Sequence, residues 1–235
     1  MGNNHIVKGE IDLTVIFLTV NKLPQGWVDF HWKHLKHAIW RYPLITVSRL
    51  PMENRGINII QEEPFSASNI YKQMLRAAKV ATTPYIAIAE DDSLYPREHF
   101  VTFRPDLNTF AYNQNRWSLF TWGVPTYNFK DRLSNLTLIA PRELLIKCLE
   151  ERFEKYPEGT EEGKTGEVGK LKTELKLGLP HYKMVQWKSI DPIVNFDHIY
   201  ALDPYEVRQK KRMSAVRAFD IYYWGKAEDL VKNFK

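Results

Sequence analysis

Between Pro84 and Pro96 the chain passes from a compact apolar run, Tyr85 to Ala89, directly into three consecutive carboxylates, Glu90, Asp91 and Asp92. A short apolar run bounded by a proline reads as a buried strand, which places the acidic cluster on a strand's carboxyl end. In open α/β sheets that edge is where ligands bind, because the loops there are free to carry polar groups while the strands hold them in position.

The preceding residues supply the rest of such a sheet. Asp12 to Asn21 is β-branched and apolar, ends on a polar residue and is followed by Pro24 and Gly26, as suits a strand buried on both faces. Val28, Trp32, Leu35 and Ile39 recur at helical spacing until Arg41 to Pro43 stops them, and Pro43 to Ser48 and Gly56 to Gln61 read as further strands. Ser66 to Asn69 offers capping groups for a helix reaching about Val80, which Thr82 to Pro84 breaks. Beyond Pro96, strands are expected at 110–112, 118–122, 136–139 and 192–198, with a helix from Pro141 to about Phe153. Glu158 to Lys170 holds four glycines and many charges, and predicts an exposed, mobile loop suited to a lid. The fold class is therefore α/β, a mixed sheet flanked by helices. It is expected as one domain over 1–235, with a ligand-binding half over about 12–100 and a second half over about 101–235.

Composition narrows the function classes. No run reaches the roughly 18 to 20 apolar residues of a membrane span. Met1 to Glu10 carries no cationic head followed by an apolar stretch, so a cytoplasmic protein is expected. The single cysteine, Cys148, reads as core packing. A net charge of +5 and a pI near 9.1 favour an anionic ligand such as a nucleotide diphosphate, nucleic acid or an anionic membrane surface. The oligomeric state is not legible.

The stretch from Ala81 to Pro96, with its helix end, buried strand, acidic triplet and following proline, resembles the nucleotide-binding half of GT-A glycosyltransferases, especially the family 2-like group with a D-x-D signature. The similarity spans about residues 12 to 100, with glutamate in place of the first aspartate. The resemblance implies a nucleotide-sugar co-substrate, a UDP-sugar foremost, and Mn2+ or Mg2+. Glu90 and Asp92 would point to one side and hold the metal and the donor diphosphate, with Asp92 the firmest ligand and Asp91 turned opposite, to meet the ribose or orient the loop. It further implies Asn21, Asn69, Gln73 and Arg76, joined by Thr19 and Arg49, around base, ribose and phosphates, and His198 as completing the metal shell. Arg208 and Lys211, in the basic run Arg208 to Arg212, are placed to close on the diphosphate.

An inverting transfer needs a carboxylate to take the acceptor hydroxyl's proton. The candidates are Glu161, Glu162 and Glu167 in the expected lid, with Asp191 further back, and Glu167, between Gly166 and Gly169, is favoured. Retention would not require it, and the stereochemistry stays open. The acceptor is either a glycan or lipid-linked sugar, or a hydroxymethylated pyrimidine in DNA of the phage type. The basic pI and the aromatic-rich stretch Asn115 to Trp122 tilt toward DNA. Two rivals stand beside transfer. One is a non-catalytic nucleotide- or nucleic-acid-binding module; the other is a nucleotidyltransferase, against which the lack of a glycine-rich basic loop after the first strand counts. His31, His34 and His37 tempt a zinc reading, but their three-residue spacing spreads the rings over a wide arc, and a basic helix face is expected instead.

Overall fold

The computed structural model describes residues 11–64, 66–160, 165–200 and 214–234. Along the chain run β1 (Leu13–Leu18), α1 (Gln25–Ile39), β2 (Leu44–Ser48), β3 (Ile57–Ile60), α2 (Ala67–Val80), β4 (Tyr85–Glu90), β5 (Ser93–Leu94) and α3 (Arg97–Val101). Next come β6 (Thr109–Asn113), β7 (Arg116–Phe120), β8 (Tyr127–Phe129), β9 (Leu138–Pro141), α4 (Arg142–Lys155), α5 (Leu171–Leu177), β10 (Lys183–Trp187) and β11 (Ile193–Asp197). The chain ends with β12 (Arg217–Ala218), β13 (Asp220–Ile221), β14 (Gly225–Lys226) and α6 (Ala227–Lys232).

The expected α/β class is what the structure has: a seven-stranded mixed sheet, ordered β10-β6-β9-β4-β1-β2-β3, between helices. β4, β1, β2 and β3 are mutually parallel, and β9 runs against both β4 and β6. Both halves of the chain contribute strands. Strand alternation explains the two-sided burial. Ile16, Leu18, Ile45, Val47, Ile86 and Ile88 face α2 and α4, where Met74, Ala77, Leu145 and the buried Cys148 meet them. Val15, Phe17, Leu44, Ala87 and Ala89 face the other way, toward Leu35, Ala38 and Ile39 of α1 and toward Tyr95 and Phe100. Ser66 caps α2 as expected, its hydroxyl accepting from the Asn69 N–H. A second sheet, β12-β8-β7-β11-β5, leans on α6.

Three expectations change. The buried face of α1 is Trp27, His31, Leu35, Ala38 and Ile39, turned by one residue from the expected stripe, with Val28 and Trp32 at its margin. His31 therefore does not belong to an exposed basic face. It is buried against the Phe17 ring, its Nε2 3.0 Å from the Ser93 carbonyl, and burial pushes its pKa down to about 4. The described part of the 158–170 segment is anchored rather than exposed: Val168 is fully buried, its carbonyl accepts from the Tyr112 hydroxyl at 2.8 Å, and the Arg152 guanidinium donates to Gly166 O at 3.1 Å. Finally, α5 and β10 were not expected. β10 lies at the sheet edge, largely exposed, and so carries no apolar run.

The amino end of β1 is held by charge. Arg104 donates to both Asp12 carboxylate oxygens at 2.8 and 2.9 Å, to the Phe100 and Phe103 carbonyls, and to the Tyr42 hydroxyl. Removing a buried partner of this kind leaves the other charge and two carbonyls unpaired. Arg104→Met is expected to cost about 3 kcal/mol in chemical denaturation. Breaking the exposed Lys79–Glu150 pair by Lys79→Ala is expected to cost less than about 0.5 kcal/mol in the same assay.

Candidate functional site

β1, β2 and β4 end at one edge, and the parallel register brings Leu18 beside both Val47 and Glu90. The residues just past these ends are Thr19, Arg49 and the acidic triplet. Thr19 Oγ1 donates to Asp91 Oδ2 at 2.5 Å, and Trp27 Nε1 donates to the Asp91 carbonyl at 2.7 Å. After Asp92 the chain enters the second sheet. The Phe196 N–H donates to the Asp92 carbonyl at 2.8 Å, and Ser93 Oγ donates to Asp92 Oδ1 at 2.8 Å. His198, at the end of β11, sets Nε2 3.5 Å from Asp92 Oδ2.

Asn21 sits at φ 55°, a left-handed conformation that asparagine tolerates better than most residues. Its Oδ1 accepts from the Arg49 and Leu50 N–H groups at 2.8 and 3.0 Å, so it ties the ends of β1 and β2 together. Thr19, Asn21 and Asp91 line a cavity of about 330 Å³ together with Gln25, His31 and Arg55. That volume lies at the lower end of the roughly 300–1,000 Å³ range of small-molecule sites.

The other residues expected around a nucleotide form a second group. Arg49 donates to the Glu63 carbonyl at 2.5 Å, Arg76 pairs with the Glu63 carboxylate, and Asn69 Nδ2 donates to Pro64 O at 3.2 Å. Gln73 is buried on the same helix as Asn69. Glu167 takes a hydrogen bond from Lys170 Nζ at 3.0 Å. It lies within electrostatic range of the buried Arg116, as do Glu90 and Asp197. Asp191 stands at the opposite end of β11, five residues before Phe196 and so roughly 16 Å from the triplet along the strand. Glu161, Glu162, Arg208 and Lys211 lie outside the described residues.

Crowding dominates the electrostatics. Burial first, then the charges of Asp92 and Asp91, pushes the Glu90 carboxyl up to about 8. Burial and then Asp92 pushes Asp91 to about 7, although the Thr19 hydrogen bond acts the other way. A cation at this edge would reverse both effects. Among the described residues no three metal-binding side chains converge. Asp92 is a residue at this edge whose carboxylate could supply an oxygen to a hard cation. His198 is less ready. The Tyr200 N–H donates to its Nδ1 at 3.1 Å, which puts the ring proton on Nε2. Ligation through Nε2 requires that proton to move to Nδ1 and the Tyr200 amide to turn away.

Trp27, Arg55 and Arg116 escaped the sequence reading. The only signal for Trp27 was its four-residue spacing from His31; nothing in the sequence marks the two arginines.

No family model matches the chain, and no curated protein matches it. Solved structures similar to it include a mannosyltransferase of Pyrobaculum calidifontis in complex with GDP-Man and Mn2+, at 13% identity and TM-score 0.47 over 84% of this chain and 60% of that one. Another is S. aureus TarS 1-349 in complex with UDP-GlcNAc, at 11% identity and TM-score 0.46 over 86% and 62%. A third is the 2-C-methyl-D-erythritol 4-phosphate cytidylyltransferase of Thermus thermophilus, at 8% and 0.42 over 74% and 88%. The chain spans less than two thirds of the first two.

The raised carboxyls have a signed consequence. Between the ordinary carboxylate pKa near 4 and the folded values, the unfolded chain releases protons that the folded site retains, so stability falls as pH rises from about 4 to 8. Glu90→Gln removes the larger contribution. Without added metal, its melting temperature is expected to exceed the parent's by roughly 3 °C at pH 8 and to equal it near pH 4.

Proposed function

We propose that the chain is a glycosyltransferase that moves a sugar from a nucleotide-sugar, a UDP-sugar foremost, to a hydroxyl acceptor. The observation that carries this reading is the Thr19–Asp91 hydrogen bond at the shared edge of β1 and β4, beside a cavity of about 330 Å³ and continuous with Asp92. It brings together two residues, Thr19 and Asp91, that the resemblance implies around the nucleotide. Thr19, Asn21 and Asp91 take the nucleoside, and Arg49, Asn69, Gln73 and Arg76 order the loop at the end of β3. Glu90 and Asp92, with His198 after its tautomer change, would hold Mn2+ or Mg2+, and the chemistry supplied there would be Lewis-acid neutralisation of the departing phosphates.

In the transfer, the bond between the anomeric carbon and the diphosphate oxygen breaks and a bond from the acceptor oxygen forms. The acceptor's proton goes to a carboxylate, for which Glu167 is the described candidate with a partner in the site's charge network, Arg116. Arg208 and Lys211 are proposed to meet the leaving diphosphate. The DNA acceptor draws on the basic pI and on the aromatic-rich stretch Asn115 to Trp122, and no described contact adds to it.

The test is a screen of UDP- and GDP-sugars with Mn2+, reading nucleotide diphosphate release and thermal shift. The parent is expected to bind at least one pair and Asp92→Ala to lose about 100-fold or more in turnover. Absence of metal-dependent nucleotide binding in every combination defeats the proposal. Pyrophosphate release from a nucleoside triphosphate would replace it with nucleotidyl transfer.

A further inference from the structure

The cavity beside Thr19, Asn21 and Asp91 also has a buried cation on its wall, Arg55. Arg55 lies in the bend just before β3, where its carbonyl accepts from the Thr46 hydroxyl at 2.6 Å, and its side chain reaches α1. There the guanidinium stacks on the Trp32 ring, 4.1 Å from the centroid, which fixes the plane in which its donors point. Asp29 and His31, on the same helix, are within electrostatic range of it. Asp29 in turn takes a hydrogen bond from Gln25 Nε2 at 2.8 Å.

Arg55 is 8% exposed, and its Nη1 is buried with no hydrogen-bond partner among the described residues. An arginine keeps its charge when buried, and a charged donor left unpaired carries the full penalty of its lost hydration. Because Arg55 lines a cavity of about 330 Å³, the missing acceptor can come from a ligand. The surroundings limit what that acceptor can be. Glu53 on the same wall and Asp29 in range both oppose a phosphate at this point, whereas a neutral carbonyl oxygen meets no such repulsion.

We propose that Arg55 is the specificity-determining residue of this cavity, donating to the C4 carbonyl oxygen of a uracil base and so rejecting cytosine. The inference rests on the reading of the cavity as the donor's nucleoside site and deepens it by naming the group that chooses the base. Uracil and cytosine have the same shape and differ at one edge, where the first presents a carbonyl oxygen and the second an amine. An amine set against the guanidinium puts donor against donor and leaves both unpaired, a mismatch that discriminates far more strongly than size. Guanine also presents a carbonyl, but a cavity at the lower end of the small-molecule range favours the one-ring base.

The experiment titrates the whole chain calorimetrically with UDP, CDP, GDP and 4-thiouridine diphosphate, each in the presence of Mn2+. UDP is expected to bind about 30-fold or more tighter than CDP, and tighter than GDP. Arg55→Met is expected to weaken UDP until it lies within about threefold of CDP, while CDP itself stays within about threefold of its parent affinity. In the parent, 4-thiouridine diphosphate is expected to bind about 10-fold more weakly than UDP, because sulfur is a poor acceptor. That comparison reads the contact in the unaltered fold, and it decides the matter if Arg55→Met does not fold. A preference for CDP or GDP, a UDP-to-CDP ratio unchanged in a folded Arg55→Met, or 4-thiouridine diphosphate bound as tightly as UDP overturns the assignment. Nucleotide binding without base preference overturns the assignment alone, whereas failure of every nucleoside diphosphate to bind overturns the glycosyl-transfer reading together with it.

Discussion

Glu90, Asp91 and Asp92 sit at the mouth of a strand whose every inward residue is apolar, and their mutual repulsion in that partly dehydrated place is what the surroundings answer. A carboxylate removed from water either takes up a proton or acquires donors and countercharge. The fold supplies donors from three directions. Thr19 from the end of β1 meets the Asp91 carboxylate, Trp27 from α1 meets its carbonyl, and Ser93 from β5 meets Asp92. Each works only because β4 lies next to β1 in parallel register and the chain crosses at once into the second sheet. The donors do not suffice, since Glu90 and Asp91 both stay raised, and a cation at this edge would take the place of the protons they retain.

Beneath the triplet, aromatic packing fixes positions that hydrogen bonds alone would leave loose. Trp27 packs against Phe196 and Phe234 with ring centroids 4.5 and 4.6 Å apart, and Phe234 lies 4.9 Å from the His198 ring. The end of the described chain thus helps set where His198 stands relative to Asp92. Such supporting shells commonly decide metal affinity as much as the ligands do. The wall is stiff where it holds Trp27. At His198 it is adjustable, because the tautomer depends on a single backbone contact from Tyr200.

How much of this the sequence discloses follows from how each residue is used. β1, β2, β4 and the triplet are legible because strands buried on both faces must be continuously apolar, and the switch to three acids marks their end. β10 is not, since an edge strand needs no such run. α1 is read one residue out of phase, because Trp27 and His31 lie inside while Val28 and Trp32 offer an almost equal stripe; a histidine was counted as charge when its ring is used as a neutral packing surface. The glycines and charges of 158–170 predict an exposed loop, whereas one buried valine and two hydrogen bonds to carbonyls hold its described part. The parts played by Arg116 and Trp27 are invisible in sequence, since they depend on pairings with residues distant along the chain.

Arg116 shows why the two sheets have to be considered together. It is a fully buried cation whose pKa burial lowers to about 10, yet it remains charged at neutral pH and lies within range of Glu90, Asp197 and Glu167. With Arg132 also in range, and with burial holding Glu90 largely protonated at neutral pH, the region carries less negative charge than three ionised carboxylates would give it. On the proposed reading a cation arriving with the donor diphosphate would take the place of the retained protons. Arg116 favours the charged form of Glu90 and so opposes its full protonation. The second sheet, which carries Arg116 on β7, is thus bound to the acidic end of the first by a shared charge balance, which is stricter than proximity: loss of Arg116 raises the protonation of Glu90 itself.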